Sequence, residues 1–81
     1  MIISVTINRG VQVQEKAINK ERKLEEFEFS GSLISELIDI LDLNSENLGL
    51  IIVNGRSVID PAATIIKQDD YIEFYPLLMG G

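Results

Sequence analysis

Apolar and polar residues alternate from the start of the chain. Ile3, Val5 and Ile7 fall on one side of an extended segment, with Ser4, Thr6 and Asn8 on the other. A period of two is that of a strand with one buried face, which predicts a β-strand over residues 2–8. Alternation resumes over residues 24–29, where Phe27 and Phe29 point inward and Glu26 and Glu28 outward. This predicts a second strand, antiparallel to the first. Between them, residues 9–23 are polar and basic; Val11 and Val13 hint at a short strand after an Arg9-Gly10 turn. The segment reads as a long, partly mobile hairpin connection. A connection of that length is uncommon without a role; the plainer reading is a surface insertion that the fold tolerates.

Ser30-Gly31-Ser32 breaks the second strand and places Ser32 as a helix N-cap. Leu33, Ile34, Leu37, Ile38 and Leu41 then form an apolar stripe at helical spacing, with Glu36, Asp39 and Asp42 opposite. A helix of about three turns is predicted, stopping near Leu43-Asn44. Leu48 to Val53 reads as an apolar strand. Asn54-Gly55 follows, a strong hairpin signal because both residues tolerate positive φ in a type I′ turn. Arg56 to Ile59 is the return strand, ended by Asp60-Pro61. Residues 62–70 read as a loop with one helical turn at Thr64 to Lys67. Tyr71 to Tyr75 is the last strand, with Ile72 and Phe74 inward and Pro76 ending its pairing. Leu50 and Ile52 are placed with that inward set. Ile51, Val53, Tyr71 and Tyr75 are then left on the opposite face, either open to a partner or covered by residues 60–70.

One apolar helical stripe cannot bury itself and needs a sheet to lie on. The expected fold is α+β, a mixed sheet of four to five strands with one covering helix. If the first and last strands are neighbours, the arrangement is a β-grasp. Residues 1–76 form the domain and 77–81 a flexible tail.

Composition narrows the chemistry. The 81 residues include neither Cys nor His, which removes disulfides, thiolate and Ser-His-Asp nucleophiles, and the commonest zinc ligand. A hydrophobic share of 46% is too high for a disordered chain. Seven basic against thirteen acidic residues give a net charge of −6, unsuited to gripping a phosphate backbone, so no nucleic-acid partner is expected. The charge is uneven. Residues 1–23 carry five cations against two acids, a net of +3, whereas residues 24–81 carry two cations against eleven acids, a net of −9. No acidic pair is forced into a shared pocket by its spacing, and no metal-ligand constellation is expected. The start, MIISVTIN, lacks the basic region of a signal peptide, and the longest apolar run, Leu50 to Val53, is far too short to span a membrane. A soluble, cytoplasmic protein with no membrane partner is expected, one that serves enzymes rather than acting as one.

The chain ends Tyr75-Pro76-Leu77-Leu78-Met79-Gly80-Gly81. Tails are usually polar, because an apolar tail gains nothing by staying loose in water. One reading has Leu77, Leu78 and Met79 anchored in a partner groove. Gly80 and Gly81 would pass through a channel too narrow for side chains. The Gly81 carboxylate, ionised at neutral pH, would be the reactive group. The other reading has Leu77 and Leu78 continuing the last strand into the core, with the glycines fraying.

Ile52-Val53-Asn54-Gly55-Arg56 resembles the "vNG" hairpin of the MoaD/ThiS family of ubiquitin-like sulfur carriers. Ile66-Lys67-Gln68-Asp69-Asp70-Tyr71-Ile72 resembles the family's L-x-x-G-D-x-V turn, and Phe74-Tyr75-Pro76 with the final Gly80-Gly81 resembles its closing strand and tail. The likeness runs from about Ser32 to the end and is weaker over Met1 to Phe29. Three features depart from the family pattern. Asp69 stands where the family usually has Gly, so that turn must avoid positive φ or strain Asp69 into it. Met79 is larger than the small residue common before the glycines, and residues 9–23 have no clear counterpart.

The resemblance implies a ubiquitin-like β-grasp and a carrier, not an enzyme, with no stably bound cofactor. An adenylating partner of the ubiquitin-activating type would spend ATP to form a Gly81 acyl adenylate. A sulfur nucleophile would then displace AMP and leave a Gly81 thiocarboxylate. Gly80 would lie in the channel; Leu77, Leu78, Met79, Ile51, Val53 and Tyr75 would contact partners. The length and the Phe-Tyr-Pro ending resemble the small subunit of molybdopterin synthase, which donates sulfur within the large subunit in molybdenum cofactor biosynthesis. The same ending fits a sulfur carrier for thiamine or amino-acid biosynthesis, or a ubiquitin-like modifier conjugated through Gly81. A plain interaction module whose glycines do nothing is the remaining reading.

Overall fold

A computed structural model of the chain describes residues 1–77. In chain order the elements are β1 (Ile2–Ile7), β2 (Gln12–Val13), β3 (Lys16–Ala17), β4 (Arg22–Glu28), α1 (Ile34–Ile40), a 3-10 turn at Ser45–Asn47, β5 (Leu48–Val53), β6 (Arg56–Ser57) and β7 (Tyr71–Pro76). Five strands form one mixed sheet in the order β4-β1-β7-β5-β6; β2 and β3 form a separate small hairpin. β1 is antiparallel to β4 and parallel to β7, and β7 is antiparallel to β5. The first and last strands are therefore neighbours at the centre of the sheet.

The alternation of β1 is realised: Ile3, Val5 and Ile7 are buried. Their partners on β4 are Phe27, Leu24 and Arg22, and the register slips by one residue between Ile3 and Val5. Glu26, at φ 52, lies in that slip. The resulting bulge lets both Leu24 and Phe27 face the core, which strict alternation would forbid. The core continues through Phe29, Ile34, Leu37, Ile38, Leu43, Ile51, Ile66, Ile72 and Phe74. Helix α1 thus seals one face of the sheet.

The helix is shorter than its stripe suggests, spanning Ile34–Ile40, with Leu33 rather than Ser32 at the N-cap. Asp42 takes a left-handed φ of 56, and Leu43 N–H returns to Ile38 O at 3.0 Å while Asp42 N–H reaches Asp39 O at 3.1 Å. This is a Schellman closure, and it turns Leu43 back into the core. At the other end Ile34 N–H donates to Thr64 O (3.1 Å) and Ser35 N–H to Pro61 O (3.1 Å). The 60–66 segment therefore satisfies donors of the first helical turn. It forms no helix at Thr64 to Lys67, because its carbonyls are committed to α1 and Ile66 is buried in the core.

Residues 9–23 differ most from expectation. They form the tight β2–β3 hairpin, and Val11 is fully buried. Asn44 N–H donates to Gln12 O and Gln14 N–H to Asp42 O, both at 2.9 Å, so the hairpin is fastened to the segment after α1. The return strand β6 is only Arg56–Ser57, and Ile59 is 97% exposed. No helix among the described residues is long and apolar enough to cross a membrane.

Candidate functional site where the last strand leaves the sheet

Strand β7 is gripped on both sides over most of its length. On the β1 side the grip ends at Phe74, whose carbonyl accepts from Asn8 N–H (3.0 Å) and Asn8 Nδ2 (2.9 Å). Past Phe74 only β5 holds the chain. Tyr75 pairs with Leu50 and Pro76 with Leu48, and Leu77 N–H donates to Asn47 O at 2.7 Å. Pro76 therefore does not end the pairing. The donors of β7 alternate in direction, so its missing N–H faces the β1 side, where β1 has already ended.

The register of β5 and β7 slips between Leu48 and Leu50, leaving Gly49 as the extra residue. A Cβ on Gly49 would lie 2.6 Å from Pro76 O and 2.9 Å from Leu77 Cα. Only glycine allows the exiting chain to pass this close. Gly49, Leu50, Tyr75, Pro76 and Leu77 line a shallow apolar groove of about 360 Å³ at this point.

The faces of β5 are the reverse of the sequence expectation. Ile51 pairs with Phe74 and Val53 with Ile72, the two fully buried residues of β7. Ile51 is 6% exposed and Val53 is half-buried against the core cluster, so both face the core side of the sheet rather than its open side. Leu50 and Ile52 instead share the far face with Tyr75 and Glu73. Leu50 (43%), Tyr71 (41%) and Leu77 (48%) are all substantially exposed there or at its margin. The 60–66 segment binds α1, not this face, so it does not cover it. Leu77 continues the ladder by its backbone but keeps its side chain outside the core. Leu78, Met79, Gly80 and Gly81 lie outside the described residues.

Polar contacts order this face. Tyr75 Oη donates to Glu73 Oε2 at 3.0 Å. That bond, with lesser help from partial burial and nearby acidic charge, raises the Tyr75 phenol above its ordinary pKa. The Thr6 hydroxyl, buried within the sheet, shares a 2.9 Å hydrogen bond with Tyr71 Oη.

The segment entering β7 is braced by the Asn-Gly turn. Asn54 has φ 51 and Gly55 φ 83, as a type I′ turn requires. Asn54 Oδ1 accepts from Tyr71 N–H (2.9 Å) and Asn54 Nδ2 donates to Asp70 Oδ1 (2.8 Å). Asp70 Oδ2 accepts from Lys67 N–H at 2.8 Å. Asp69 takes φ 68, the strained alternative of the two open to it. The Asn, the Asp and the left-handed position of these motifs thus serve to start the last strand in register.

From sequence, Gly49 and Asn8 carried no site role and Leu50 was turned inward. Gly49 carried a usable signal, an isolated glycine inside a strand pattern. Among the described residues no group of His, Cys, Asp or Glu side chains is placed to hold a metal ion. Comparisons with protein-family models, with curated proteins and with solved structures return no significant match.

Proposed function

We propose that the chain is a ubiquitin-like β-grasp carrier of the MoaD/ThiS type, working through the carboxylate of Gly81. The observation that carries this reading is the parallel pairing of β1 with β7 at the centre of a mixed sheet, with one helix behind it. That order delivers the last residues from a rigid strand, beside an uncovered face bearing Leu50, Tyr75 and Leu77. The Asn54-Gly55 turn, the Asp69-Asp70 turn and the Gly80-Gly81 ending add to the resemblance.

In the proposed chemistry, an adenylating partner directs a Gly81 carboxylate oxygen onto the α-phosphorus of ATP, and pyrophosphate leaves. The acyl adenylate has AMP as a good leaving group. Sulfide attacking the carbonyl carbon expels AMP and leaves the thiocarboxylate directly. A persulfide donor first gives an acyl disulfide, which a second thiol of the donor protein cleaves, forming a disulfide on the donor and releasing the Gly81 thiocarboxylate. A chain without cysteine cannot carry the sulfur as a side-chain persulfide, which leaves a carboxylate to hold it. Within the type, molybdopterin synthase is the proposed acceptor, with the large subunit as partner.

The test is pyrophosphate exchange by a ubiquitin-activating-type enzyme from the same cells. The chain should support exchange, and deletion of Gly81 should abolish it while the amide spectrum of residues 1–77 stays unchanged. Exchange that survives the deletion would overturn the reading.

A further inference from the structure

The β2–β3 hairpin gives the molecule a second surface, unrelated to the end of β7. Val13, Ala17 and Ile18 form the apolar part of a groove of about 600 Å³, and Lys16, Lys20 and Arg22 supply its cations; no acidic side chain lines it. The three cations are exposed, and the one ion pair among the described residues joins the Met1 amino group to Glu28. None of the three is therefore neutralised within the described chain. Glu15 and Glu21 are neighbours in sequence but do not line the groove.

The platform is built rather than loose. Val11 is buried beneath it, Ile18 N–H donates to Val11 O (3.1 Å) and Gly10 N–H to Ile18 O (3.2 Å), and Val13 bridges to Leu43. A tolerated insertion would not need a core residue and bonds to the segment after α1 to hold three unpaired cations on one side.

We infer that this groove docks an acidic, extended peptide segment of a partner protein, carboxylates on Lys16, Lys20 and Arg22 and an apolar side chain between them on Val13 and Ile18. Charge complementarity selects the acid, because the groove is the positive region of a chain whose remainder carries −9. The apolar floor selects a peptide over a polynucleotide. Nucleic-acid grooves add aromatic rings for stacking, and none lines this one. A net charge of −6 also repels a long polyanion. The inference is independent of Gly81 and stands if the carrier reading fails.

The test is an amide-shift titration of the full chain with a short peptide alternating glutamate and leucine. Shifts should be confined to about residues 11–22 and weaken with added salt. The double variant Lys20→Glu/Arg22→Glu, with its own spectrum showing the fold intact, should bind at least ~10-fold more weakly. Equal binding of the glutamine-for-glutamate peptide would overturn the inference. So would equal binding of inorganic phosphate or an oligonucleotide, shifts spread to Arg56 and Lys67, or an unaffected double variant.

Discussion

Two glycines show how differently one residue type can be required. At Gly55 the backbone sits at φ 83 and a Cβ would meet nothing within 4 Å, so the demand is purely conformational. Gly55→Ala should cost about 1–2 kcal/mol, the penalty for an L residue in the left-handed region. At Gly49 the demand is steric, since the added carbon would press on the Pro76 and Leu77 backbone. Gly49→Ala should cost about 1–3 kcal/mol as overpacking and also shift the amide resonance of Leu77, which Gly55→Ala should leave in place. Urea unfolding and amide spectra of the two variants separate the cases. Asp69 is the converse, a side chain held at φ 68. Asp69→Gly should leave stability equal or raise it by up to about 1 kcal/mol; a loss of that size would mean the Asp69 side chain contributes more than its strain costs.

At the scale of elements, the start of α1 carries a titratable clasp. The exposed Glu36 carboxylate accepts from Ser32 N–H (3.2 Å), Leu33 N–H (3.0 Å) and the Ser32 hydroxyl (3.1 Å). The Ser32 amide, then the Leu33 amide, hold its pKa below the ordinary value. A lowered folded pKa means that the charged carboxylate stabilises the fold above the ordinary glutamate range. That contribution is lost as pH falls through the folded value. Stability of the native chain should therefore decline across that acidic window, and Glu36→Gln should lack that part of the decline. Identical pH profiles would show that the clasp contributes nothing. In β7, Phe74 is fully buried among α1 and its flanking strands. Phe74→Ala should cost ~3–5 kcal/mol in an unfolding titration, and a change near zero would contradict the placement of that strand.

How far these elements could be read from sequence depended on local pattern. The period of β1, the Asn54-Gly55 turn and the inward pair Ile72 and Phe74 were legible because alternation or special φ leaves a mark. The faces of β5 were not. A short apolar run has no period to fix its phase, and only pairing of Ile51 with Phe74 decides it. Val11 was hidden because one apolar residue in a polar stretch has no periodicity, and its burial depends on the distant segment after α1. The end of the helix was set by Asp42 closing a Schellman turn, although Leu41 of the apolar stripe would have let the pattern run on. The candidate site followed the same rule: the placement of Tyr75 on the face away from Phe74 was legible from alternation, while Gly49 and Leu50 needed the register.

For the whole molecule, the fold separates the end of β7 from the β2–β3 hairpin. The centre of the sheet fixes where β7 ends, and the β2–β3 hairpin holds the cations apart from the acidic remainder. If Gly80 passes through a partner channel, Gly80→Val should block activation by adding a β-branched side chain while unfolding energetics stay within about 0.5 kcal/mol of the native chain. Normal activation of that variant would show a wide channel. The most direct measurement is the intact mass of the chain after incubation with the activating enzyme, ATP and a sulfur donor. The account predicts exchange of one oxygen for one sulfur at Gly81, reversed when an acceptor is added. An unchanged mass, or adducts joined through Gly81 to lysine amines with no thiocarboxylate, would contradict it.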